Sequence, residues 1–76
     1  MATNAWQQWF PGSDPDRHGW WRLIRFDQVD AEGKPVGKPQ VALTPGNYPR
    51  QFPSEEIARR AANVLNQEEA EDRAHA

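Results

Sequence analysis

Few residues in this chain could do covalent or metal chemistry. The run Asp14-Pro15-Asp16-Arg17-His18-Gly19 begins with the alternating ligand spacing of a calcium loop, followed by glycine. The bidentate acid required at the twelfth loop position would fall on Arg25, and a proline separates the two acids. His18 is the one histidine outside the C-terminal segment and would need several further ligands to hold zinc. Ser13 and Ser54 stand in turn and helix-cap contexts, with only His18 as a base for a nucleophile. The acid pairs Glu55/Glu56 and Glu68/Glu69 are adjacent residues, which point about 100° apart on a helix. No glycine-rich phosphate loop is present. These residues predict no catalytic centre, no metal site and no cofactor.

The stronger constellation is aromatic plus arginine. Trp20, Trp21, Arg22 and Arg25 crowd one short stretch, and Trp6, Trp9 and Phe10 precede it at i, i+3 and i+4. Aromatic rings supply desolvated anchors at interfaces and arginines supply oriented hydrogen bonds, so these seven residues are the candidate partner-binding set. The same side chains could stack on unpaired bases and reach phosphates, which makes nucleic acid the alternative partner. Their structural alternative is core and solvated surface, with Arg22 and Arg25 pairing Asp27, Asp30 or Glu32 across a hairpin.

Positioning these residues requires a strand. Residues 19–29 form the one long run rich in aromatic and branched side chains. Alternation places Trp20, Ile24 and Phe26 on one face with Arg22 and Gln28; Trp21, Leu23 and Val29 share the other with Arg25 and Asp27. Both faces are half apolar, so the strand needs cover on both sides or keeps one face for a partner. The function question therefore becomes which face is covered.

The remaining elements follow from turn and helix signals. Residues 1–10 read as a helical turn capped by Thr3 or Asn4, with Trp6, Trp9 and Phe10 on one side. Residues 11–19 read as a loop, because Pro11 and Pro15 cannot lie in a central strand. Residues 30–33 form a turn with Gly33 suited to positive φ. Residues 34–44 form the return strand, ragged at Pro35 and Pro39 and best formed over 40–44; residues 48–52 offer a short third strand. Ser54 caps a helix whose first turn carries Glu55 and Glu56. Its apolar stripe is Ile57, Ala61, Val64 and Leu65 with Ala58 and Ala62; Arg59, Arg60, Asn63 and Asn66 point away. The expected fold is α+β: a small antiparallel β-hairpin or three-stranded sheet packed on one C-terminal α-helix, preceded by an aromatic arm. Residues 1–67 form the single domain, and 68–76 an acidic, flexible tail.

Length and charge bound the rest. The chain has 76 residues, 11 acids, 9 bases and no cysteine, so neither a disulfide nor a thiolate metal site can form. Four of the acids but one of the bases lie beyond residue 67, which leaves the body near neutral and disfavours nonspecific nucleic-acid binding. The acidic segment could steer the chain toward a basic partner, or simply solubilise its end. No signal peptide and no apolar run near the roughly 20 residues of a membrane span is visible, so the expected location is cytoplasmic.

The element order over residues 19–66, with Trp20, Trp21, Arg22 and Arg25 on the sheet, is similar in outline to AP2-like and phage-integrase arm-binding domains. That resemblance implies nucleic-acid binding through the hairpin. A short, cysteine-free, tryptophan-rich chain of hairpin plus helix also resembles accessory proteins of phages and mobile elements, such as anti-CRISPR proteins and host-enzyme inhibitors. This second resemblance implies docking on a larger protein as an inhibitor or modulator, without enzymatic activity. Self-association through the proline-rich edge or an aromatic face is a further expectation.

Overall fold

A computed structural model describes residues 5–74. A three-stranded antiparallel sheet and a separate two-stranded sheet accompany one C-terminal helix, as the α+β reading expects. The capping role read for Thr3 or Asn4 lies outside the described residues. A 3₁₀ turn at Ala5–Gln7 leads into β1 (Phe10–Ser13). Then come β2 (Trp21–Arg25), β3 (Gln28–Val29), β4 (Pro35–Val36), β5 (Gln40–Val41) and α1 (Glu55–Ala74).

The aromatic-rich stretch is the central strand, but it is interrupted. Phe26 and Asp27 break it, so β2 lies between β1 and β5, and β3 pairs with β4 in its own hairpin. The expected continuous return strand is correspondingly split into β4 and β5. Asp30 organises the small hairpin: its Oδ1 accepts the N–H groups of Glu32 and Lys34, both at 2.9 Å. Gly33 completes the turn at φ +81°, where a β-carbon would be strained.

Residues 11–13 do not form part of a loop; they lie in β1, paired antiparallel with β2 through Pro11↔Leu23, Gly12↔Arg22 and Ser13↔Trp21. Proline is tolerated because β1 is an edge strand. The Asp14 N–H donates to the Trp20 carbonyl at 3.0 Å, so the alternation of an antiparallel ladder aims position 11 away from β2. The exposed side of this edge is also closed. Asn66 of α1 accepts the Trp9 N–H at 2.8 Å and donates to the Trp9 carbonyl at 3.0 Å. One side-chain amide thus occupies the place a neighbouring strand would take, which blunts edge-to-edge pairing.

The opposite edge is assembled from two pieces. After β5, Ala42 donates to the Leu23 carbonyl at 2.9 Å. The chain then makes a side turn, with Thr44 donating to Tyr48 and a bridge between Leu43 and Pro49. It rejoins the sheet where Phe52 exchanges both backbone hydrogen bonds with Trp21, at 2.9 and 2.7 Å. Residues 48–52 therefore contribute isolated bridges instead of a third strand.

Ser54 caps α1 as expected, accepting the Ile57 N–H at 3.2 Å. Glu55–Arg59 and Glu56–Arg60 are exposed i,i+4 ion pairs at 2.7 Å. The buried stripe differs from the expected one. Ala58 and Ala62 are buried, with Ala61 and Leu65 packed beside them, while Ile57 and Val64 are exposed. The reason is steric. Small side chains let the helix backbone settle close to the sheet, and the contact rotates toward the alanines. Asn66 consequently turns inward to β1. Residues 68–74, expected to fray or remain flexible, continue α1, which runs for 20 residues.

The core is thin. Among the described residues, Leu23, Ala42, Ala58 and Ala62 are its buried hydrophobic residues, and Leu23 is the largest side chain fully removed from water. Trp9, Trp21, Phe52 and Leu65 are half-buried around it. No helix among the described residues is long and apolar enough to cross a membrane.

Candidate partner-binding face

The register of β2 decides which face α1 takes. Leu23 and its antiparallel neighbour Pro11 face the helix, as do the pairs Trp21↔Ser13 and Arg25↔Gln40. The other set, Arg22↔Gly12 and Ile24 between Phe10 and Val41, faces away. Trp20 extends that set by one step through the Asp14–Trp20 hydrogen bond. α1 makes its sheet contacts with β1 and β2, and the outer face is met at one end by Trp6 of the 3₁₀ turn, which packs on Phe10. The seven candidate residues are thereby divided: Trp9, Trp21 and Arg25 lie under the helix, whereas Trp6, Phe10, Trp20 and Arg22 belong to the open side.

The three inward residues are used in closing the fold. The Arg25 guanidinium lies 4.2 Å from the Trp9 ring centroid. It donates to Glu69 Oε2 at 2.7 Å and to Gln40 Oε1 at 3.0 Å, and Gln40 in turn donates to Asp27 at 2.8 Å. Trp9 Nε1 donates to the second Glu69 oxygen at 3.1 Å. One carboxylate from the acidic end of α1 therefore receives both candidate side chains. This clasp fixes the C-terminal half of the helix where apolar residues run out. Trp21 is half-buried beside Leu23 and pairs with Phe52.

On the open side, Trp6, Phe10 and Phe26 form a ring cluster at one end. Trp6 meets the other two edge-on, with centroids 5.7 and 6.0 Å apart, and Phe10 stacks on Phe26 at 6.5 Å. Trp6 and Phe10 meet, but not on one side of a helical turn as their spacing predicts: the turn ends at Gln7, Phe10 opens β1, and the alternation of that strand sends Trp9 to the other face. The Phe26 N–H donates to the Trp6 carbonyl at 2.8 Å, which anchors the arm. Trp6 remains 43% exposed. In the middle, Gly12 leaves room for Ile24: a β-carbon there would stand 2.9 Å from Ile24 Cδ1.

The other end is built on Asp14, the buried acidic residue that the calcium-like spacing singled out. Its oxygens are engaged within the protein, accepting the Asp16 N–H at 2.9 Å and the Gln51 amide at 2.8 Å. The Asp16 backbone bond lowers the Asp14 pKa most strongly. Burial opposes this, and Gln51 and the nearby Arg22 charge add to the lowering. Arg17 donates to Gln51 Oε1 at 2.9 Å and lies 4.3 Å from the Trp20 ring centroid. No group of three or more His, Cys, Asp or Glu among the described residues converges to hold a metal ion.

The open face thus presents Trp20 braced by Arg17, then Arg22, then Ile24 with Phe10 and Val41, and finally exposed Trp6. Sequence reasoning missed Arg17, Ile24, Phe26 and Val41 as members. Period-two extension of Trp20 and Arg22 reaches Ile24 and Phe26. Arg17 and Val41 arrive through a loop closure and a cross-strand register that carry no local signal. Comparison with protein-family models, with curated proteins and with solved structures finds no match to this chain.

Proposed function

We propose that this chain is a non-enzymatic binding protein that docks on another protein, as an inhibitor or modulator, through the open face of its sheet. The observation that carries this reading is the division of the strand. α1 takes Trp21, Leu23 and Arg25, and leaves Trp20, Arg22 and Ile24 on the face of the sheet away from the helix. A face with tryptophans at both ends and a branched aliphatic centre matches the composition of interface hot spots. Arg17 holds the Trp20 ring, so less side-chain freedom is lost when a partner packs on it.

A protein partner is favoured over nucleic acid by the charge of this face. Ionised Asp14 lies beside Arg22, and Arg17 is committed to Gln51 and Trp20. The face therefore lacks the uncompensated basic patch on which phosphate binding depends. The test is affinity capture from host lysate with the wild-type chain and a Trp20→Ala/Arg22→Glu variant. The expected result is a protein recovered by the wild type and depleted at least about tenfold with the variant, as loss of hot-spot residues implies. Equal recovery by both would overturn the reading. Binding of labelled single-stranded or duplex nucleic acid that weakens steeply with salt would replace it with the nucleic-acid alternative.

A further inference from the structure

A second surface, on the opposite side of the sheet from the proposed docking face, is an apolar groove of about 300 Å³. Leu23, Phe52, Val64 and Leu65 line it together with two charged residues, Arg50 and Glu68. Fully buried Leu23 is among the lining residues, so the groove reaches the core itself. Val64 projects from α1 at its margin and is 54% exposed. Glu68 stands four residues later, one turn along the same face of the helix.

We propose that a second copy of this chain fills the groove, forming a two-fold dimer in which Val64 enters the partner's groove and Arg50 pairs with Glu68 of the partner subunit. Charge selects this occupant. The groove carries one cation and one anion, and among the described residues no ion pair joins them. Arg50 is oriented by donating Nε to the Leu43 carbonyl at 3.1 Å, while the Glu68 carboxylate makes no hydrogen bond or ion pair with a described residue. A surface bearing both signs is its own complement under two-fold symmetry, because each Arg50 meets one Glu68 and the pairing occurs twice. A partner of single charge would satisfy one of these groups and repel the other. The core supplies the driving force. One leucine and three alanines are its buried hydrophobic residues, so burying Val64, Phe52 and Leu65 against a second copy adds apolar contact that the monomer lacks.

The test is sedimentation velocity on the full chain over a concentration series, with far-UV circular dichroism confirming helix content. A concentration-dependent dimer is expected. Arg50→Glu and Glu68→Arg should each raise its dissociation constant about tenfold or more, since each places like charges together twice. The double variant Arg50→Glu/Glu68→Arg should restore dimerisation, and Val64→Asp, at an exposed helix position, should abolish it. Trp20→Ala/Arg22→Glu should leave the dimer intact, which separates this surface from the docking face. A chain that stays monomeric up to about 1 mM overturns the proposal. So does a dimer indifferent to Val64→Asp, or a folded double variant that fails to recover.

Discussion

Leu23 and Ile24 are neighbours on the same central strand and have opposite fates. Leu23 loses all solvent contact beneath α1, packed in a cluster with Ala42, Ala58 and Ala62. Ile24 points the other way, lies over Gly12 between Phe10 and Val41, and keeps part of its surface in water. The covered face is closed by small apolar contacts at one end of the helix and by the Asn66–Glu69 clasp at the other. The open face is braced by edge-on ring contacts at Trp6 and by the Asp14–Gln51–Arg17 network near Trp20. The lesson is that half-apolar faces on one strand need not be equivalent: one packs under the helix around Leu23, and the other is held by contacts among its own rings and polar groups.

That asymmetry can be broken by substitution. Leu23→Ala should cost about 2–5 kcal/mol, enough to unfold much of so small a domain, whereas Ile24→Ala should cost roughly half as much or less. Urea unfolding followed by circular dichroism measures both, and equal losses would contradict the division of faces. Asn66→Ala comes next, at about 1–3 kcal/mol, because it strands the part-buried N–H and C=O of Trp9 and reopens the β1 edge. Faster amide exchange at Trp9, with little change in β5, would identify this mechanism.

A smaller effect concerns acid. The Asp14 pKa is lowered, chiefly by the Asp16 N–H, so its folded value lies below its ordinary value of 3.8. Its contribution to stability is complete above that ordinary value and is lost as pH falls through the lowered folded one. Asp14→Asn should flatten that part of the acid-unfolding curve; an unchanged slope would mean that the network does not hold the carboxylate ionised. Smallest is Arg22→Ala, expected to change folding stability by about 0.5 kcal/mol or less. A loss comparable to that of Asn66→Ala would show that the open face also carries the fold.

The elements whose causes are local were readable from residue order. Ser54 with Glu55 and Glu56 fixed the start of α1, and Asp30 with Gly33 fixed the hairpin turn, since each depends on side chains within a few positions. Alternation along residues 20–26 correctly sorted the two faces but could not say which one the helix would cover. On the helix side, the contact runs through Ala58 and Ala62, which periodicity weighs less than the exposed Ile57 and Val64. Pro11 concealed β1, because proline excludes a central strand and residue order does not reveal an edge. Helical periodicity places Asn66 away from the apolar stripe, and the acidic composition around Glu69 reads as a flexible end. Their roles arise from contacts with Trp9 and Arg25 that span 44 to 60 positions. The same long-range contacts drew Trp9 and Arg25 into the fold and left Trp6, Phe10, Trp20 and Arg22 on the side of the sheet away from the helix, where docking is proposed.

Hydroxyl-radical footprinting of the chain, free and bound to its captured protein partner, tests the central claim most directly. The account predicts that binding protects Trp6, Trp20 and Ile24 and leaves Ile57 on the outer surface of α1 as reactive as before. Protection confined to α1, with Trp6, Trp20 and Ile24 unchanged, would contradict it.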